Sequence, residues 1–199
     1  MRTLQKLRLL MIGISLSVFA LDANADAGVP MLFVTFPAML LALIPIVFVE
    51  TLVLARLMKR SRISLVKSAA VANMVSTIVG IPLTWIALVL LEFLTGGGAG
   101  HGLRSPLEKF LAVTWEAPWL LPYDSQLYWM VPTASLSLLV PFFFASYFIE
   151  APIVARYQCD VPRALVRFAV FRANVASYIG LTVFNIGWLV WSVMHAPRP

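Results

Sequence analysis

Four stretches of the chain, at about residues 29–58, 68–94, 127–155 and 164–194, are apolar almost throughout. Each runs well past the roughly 20 residues that a helix needs to cross the hydrocarbon core of a bilayer. Backbone that enters lipid must satisfy its own hydrogen bonds, so each stretch is expected as an α-helix. The fold class that follows is all-α: a polytopic membrane protein with four transmembrane helices. Pro37, Pro45, Pro82, Pro132, Pro141 and Pro152 fall inside the spans. Each removes one backbone donor and marks a candidate kink.

Composition excludes the soluble alternative. Hydrophobic residues make up 61% of the chain and charged residues only 12%, against about 45–50% and about 25% in soluble domains. That leaves too little charge for a solvated face. The net charge of +6 sits beside the spans rather than on an aromatic-interleaved patch. It reads as the basic bias of the cytoplasmic face of a membrane protein, so the expected partner is the lipid bilayer and no nucleic acid.

Residues 1–25 have the layout of an export signal. Arg2, Lys6 and Arg8 precede an apolar run at residues 9–20, and Ala23-Asn24-Ala25 supplies a small-x-small cleavage pattern. The mature chain is then expected to be a single membrane domain at residues 26–199, beginning at Asp26.

Orientation follows from the short connections. Arg56, Lys59, Arg60, Arg62 and Lys67 surround the first without an acid, and Arg156, Arg163 and Arg167 surround the second with one, Asp160. Both loops are expected in the cytoplasm, with Arg56, Lys67, Arg156 and Arg167 as basic anchors at the helix ends. Both termini are then exported, in a bacterial-type inner membrane. The six tryptophans fall in or near the outer halves, where indole rings favour the headgroup level. In the exported connection at residues 96–126, a glycine-rich linker precedes a short amphipathic helix over about 106–121. Leu107, Phe110, Leu111, Trp115 and Trp119 share its apolar face, which suits the membrane interface.

The chain also resembles itself at a period near 100. Glu50-x-x-x-x-Ala55-Arg56 recurs as Glu150-x-x-x-x-Ala155-Arg156, and Leu65-Val66-Lys67 as Leu165-Val166-Arg167. Ala72-Asn73-x-x-Ser76 recurs, shifted by one, as Ala173-Asn174-x-x-Ser177. Matches among Glu, Asn and Arg are not what apolar composition produces by itself. Two helical hairpins, at about 29–95 and 127–195, are therefore expected as parallel copies about an axis along the membrane normal.

The repeat carries the rare polar residues of the spans. Glu50 lies six residues before Arg56, and Asn73 six after Lys67. At about 1.5 Å per residue both sit roughly 9 Å below the cytoplasmic interface, and Glu150 and Asn174 occupy the same level. Each asparagine amide can donate to the glutamate of its own hairpin. Arg172, two residues before Asn174, is expected to approach Glu150. The expected intramembrane cluster is thus Glu50, Asn73, Glu150, Arg172 and Asn174, either as a structural lock between helices or as a path for a proton or cation.

Catalytic signatures are missing from the sequence. There is no phosphate-binding glycine motif, nucleophile elbow or H-E-x-x-H. His101 and His195 make a poor metal site by themselves, and the lone Cys159 reads as an inert thiol, with acylation as the rival. No enzyme activity, cofactor or metal is expected. The leading functional reading is a scaffold, assembly or accessory subunit with a protein partner or a second copy of itself. The alternative is a small transporter or channel using the intramembrane glutamates.

Overall fold

A computed structural model of the chain describes residues 29–96, 103–114, 119–120 and 126–196. The expected signal sequence, most of the glycine linker and Trp115 lie outside the described residues, as does His101.

Helix α1 (Met31–Met58) turns back through residues 59–61 into α2 (Arg62–Val75). A π-helical turn (Ser76–Gly80) and α3 (Ile81–Gly96) complete the second span. The outer connection contains α4 (Pro106–Thr114) and a two-residue strand, Trp119–Leu120, antiparallel to Val29–Pro30 at the start of α1. The second hairpin is α5 (Leu127–Tyr157) and α6 (Arg163–Met194). Four helices are long and apolar enough to cross a membrane, as the sequence predicts; the second starts at Arg62, six residues before the expected boundary.

Local chemistry accounts for the turns. Lys59 adopts φ 52° and the N–H of Arg60 donates to the Ala55 carbonyl at 3.2 Å. Together they form a Schellman ending to α1 with lysine at the position usually given to glycine. Ser61 then caps α2, its Oγ accepting from the Ser64 N–H at 3.3 Å. In the second span, Pro82 has no N–H and its ring crowds the carbonyl four residues earlier. The wide π turn falls immediately before it, where the ordinary ladder cannot continue.

Around the bundle the order is α1, α2, α5, α6. Helix α1 packs on α2 and α6, α5 packs on α6 and α2, and α1 and α5 sit on a diagonal. The core near the two short loops uses small residues (Ala69, Ala72, Ala151, Ala169 and Ala173) around Leu54, Leu65, Val154 and Val166. Small side chains let helix backbones approach closely, which is the main source of helix association in lipid. Gly80 serves the same end: a Cβ there would meet Ile149 Cδ1 at 2.9 Å. The outward faces are apolar, with Leu41, Ile44, Phe48, Phe148 and Phe184 all exposed. Polar inside and apolar outside, the chain is a multi-pass membrane protein.

The burial pattern of residues 62–74 recurs over residues 163–175, with Leu65 matched by Val166 and Asn73 by Asn174. The offset is 101 along that whole stretch, whereas Glu50 and Glu150 differ by 100. The expected alignment of Leu65-Val66-Lys67 with Leu165-Val166-Arg167 is therefore one residue out: Leu165 is exposed and Val166 fully buried. The second short loop, at residues 158–162, is also longer than the first, at 59–61.

Candidate functional site

A polar cluster closes the inside of the bundle about two to three helical turns from the short loops. In the first hairpin, Asn73 Nδ2 donates to Glu50 Oε2 at 2.5 Å and to the Ala69 carbonyl at 3.1 Å. In the second, Asn174 Nδ2 donates to Glu150 Oε2 at 2.8 Å and to the Val170 carbonyl at 3.2 Å. Those two pairs are the ones that depth along the helices predicts. The other oxygen of each carboxyl group is held from across the bundle. Ser177 Oγ donates to Glu50 Oε1 and Ser76 Oγ to Glu150 Oε1, both at 2.7 Å.

Local spacing makes this possible. In Asn-x-x-Ser the two side chains lie three residues apart, on one helix face. Each asparagine anchors itself on the carbonyl four residues back. Each serine also lies 3.1 Å from the carbonyl of its asparagine, Ser76 from Asn73 and Ser177 from Asn174. All six residues are buried, with Glu50 and Glu150 both 2% exposed. Burying a carboxyl group in lipid is costly unless its lone pairs are met; here four donors from both hairpins meet four acceptor positions. One atom is left over, Asn174 Oδ1, which is buried without a partner.

Arg172 is not in this cluster. It is exposed and forms no ion pair among the described residues; the role expected of it at Glu150 is filled by Ser76. The reason is rotational. Two residues are about 200° of helix, so a side chain two positions before Asn174 faces away from it. The serines carry the opposite lesson: they are visible in the repeated Asn-x-x-Ser pattern, but nothing in that pattern shows that their bonds cross to the other hairpin.

Outward of the cluster lies a cavity of about 170 Å³. Asn73 and Ser76 form part of its wall, with Ser135, Ser146, Tyr178 and Asn185 farther along. Ser146 and Tyr178 share a hydrogen bond at 3.0 Å, while Ser135 Oγ is buried without a partner. The glutamates themselves do not line it.

The basic anchors Arg56, Lys67, Arg156 and Arg167 are all exposed. Their two loops meet at one end of the bundle, where Arg60 pairs with Asp160 and holds its carboxyl below the usual carboxylate range. Gln158 Nε2 reaches the Ser64 carbonyl at 3.3 Å. At the chain's far end, His195 stacks on Trp191, ring centroids 4.8 Å apart.

At the opposite end, α4 begins with a capping box. The Glu108 N–H donates to Ser105 Oγ at 3.2 Å, while Glu108 Oε2 accepts from the N–H groups of Ser105 at 3.1 Å and Arg104 at 2.7 Å. Ala112 and Val113 pack against Met130, and Leu107 and Phe110 are exposed; the helix stops at Thr114, short of the expected 121, and Trp119, expected on its apolar face, lies in the two-residue strand instead. The two backbone donors hold the Glu108 carboxyl below its ordinary value of 4.5. A depressed folded value means that the cap contributes fully above the ordinary value and is lost as pH falls through the folded one. Amide exchange in the first turn of α4, corrected for intrinsic rate, should therefore accelerate below about pH 4. Glu108→Gln should abolish that pH dependence while keeping the helix.

Comparison with known protein families, with curated proteins and with solved structures finds no match to this chain.

Proposed function

We propose that this is a non-enzymatic membrane protein that works through its helices, as a scaffold, assembly or accessory subunit binding another membrane protein or a second copy. One observation carries the reading. The carboxyl groups of Glu50 and Glu150 are closed in by donors from both hairpins, and neither lines the cavity beside them. An acid that moves ions must exchange them with water, whereas an acid that locks helices is best sealed.

In this reading the two hairpins, at about 29–95 and 127–195, are copies of one unit related by an axis along the membrane normal. The matched burial patterns and the reciprocal hydrogen bonds support this. Residues 1–25 are a cleaved signal sequence. The paired basic loops face the cytoplasm of a bacterial-type inner membrane, and both termini of the mature chain are exported. The excess of Lys and Arg at that end supports the orientation.

A second reading, a small transporter or channel, draws on the cavity. Asn73 and Ser76 belong both to its wall and to the cluster, so one hydrogen bond separates the cavity from each carboxyl group. Reconstitution decides between them. Liposomes containing the protein should pass protons and alkali cations no faster than empty ones, and a membrane partner or second copy should survive purification in mild detergent. A flux that Glu50→Gln abolishes without loss of stability would replace the scaffold reading with the transporter one.

A further inference from the structure

A second concavity, of about 730 Å³, lies between α5 and α6 near the short loops. One end is cationic, formed by Arg156, Arg163 and Arg167, and the other is apolar, formed by Phe148, Ala151 and Pro152. Helical spacing explains the layout. Phe148, Pro152 and Arg156 follow one another at intervals of four along α5, and Arg163 and Arg167 do so along α6. Among the described residues no carboxylate is ion-paired with these guanidinium groups. Helix α6 also starts without a side-chain cap, and its unmatched first-turn N–H groups add positive potential at that end. The first hairpin offers a weaker version. By the burial register its residue matching Arg167 is Val66, and its residue matching Pro152 is Leu52.

We propose that this groove is a binding site for an anionic phospholipid, with the phosphate among Arg156, Arg163 and Arg167 and an acyl chain along Phe148 and Pro152. Charge complementarity selects the headgroup. The apolar end, on the exposed outer side of the bundle with Phe148 68% exposed, selects a lipid over a free phosphate, which has no use for that surface. Guanidinium forks suit phosphate oxygens, and basic recesses between transmembrane helices bind acidic headgroups. A general basic bias would instead be indifferent to which arginines are present.

The test uses the full-length protein in nanodiscs and native mass spectrometry of the lipids it retains. Replacing Arg156, Arg163 and Arg167 with Gln should weaken phosphatidylglycerol binding about 100-fold, roughly five-fold per guanidinium. Replacing Arg56, Lys59 and Arg62 with Gln removes the same charge from the first hairpin and should leave binding within a few-fold. Should the groove variant fail to fold in phosphatidylcholine, Arg167→Val, which installs the first hairpin's residue, should still lose about five-fold. Equal losses in both triple variants, or no loss in the groove variant, would overturn the proposal. So would millimolar inorganic phosphate stabilising the protein in phosphatidylcholine as much as phosphatidylglycerol does, since the groove would then be a site for the free anion.

Discussion

Asn174→Leu should be among the most damaging single substitutions in the bundle, costing about 3 kcal/mol by thermal or denaturant unfolding in detergent. Asn174 is fully buried and supplies one of the two donors of Glu150. Leucine fills similar space but donates nothing, so the carboxyl group stays buried with Ser76 as its remaining donor. Adding Glu150→Leu should recover at least about 1 kcal/mol, because nothing is then left to desolvate. A double variant less stable than Asn174→Leu would show that Glu150 is held by something other than these donors. Arg172→Leu, on an exposed side chain, should change stability little; a large loss there would restore the pairing that the helix geometry denies.

The second large effect should come from the serines. Ser76→Ala and Ser177→Ala each remove the donor that crosses from one hairpin to the glutamate of the other. Each should cost about 1.5 kcal/mol and the pair about 3 kcal/mol, since hydrogen bonds to charged or strongly polar groups run about 1.5–3 kcal/mol. Glu150→Gln, by contrast, should cost less than about 1 kcal/mol. Its amide oxygen can still accept from Asn174. Its NH₂ can donate to Ser76 Oγ, whose own proton turns to the Asn73 carbonyl 3.1 Å away. Unfolding monitored by tryptophan fluorescence separates the cases. Serine variants as stable as the wild type would mean that the cross-bundle bonds contribute nothing.

How much of this was legible beforehand depends on which coordinate of the helix is asked for. Depth is simple arithmetic at a fixed rise per residue, and it put Glu50 level with Asn73 and Glu150 level with Asn174. Rotation is harder, because it depends on which face each helix buries, and that is a property of the whole bundle. Arg172 was misjudged on rotation alone. Ser76 and Ser177 needed more still, since a bond between residues 127 positions apart requires knowing which helices are neighbours. The π turn before Pro82 was foreseen only as a possible kink. The alignment slip between Leu65 and Leu165 had a different source: residue identity favours setting Leu65-Val66-Lys67 against Leu165-Val166-Arg167, whereas burial sets Leu65 against Val166.

The reciprocal serine bonds bear on how such a chain is made. In a chain inserted from its N-terminus, the first hairpin meets lipid before the second is available to it. Until then Glu50 has Asn73 but lacks its second donor, and Ser76 has no carboxyl group to serve. The first hairpin alone is a pair of spans whose acid lacks one of its donors, which is costly in bulk lipid. Arrival of the second hairpin supplies Ser177 and accepts from Ser76 in one step. The two halves thus complete each other, and a truncated or mispaired chain is left with an unmet polar group inside the membrane.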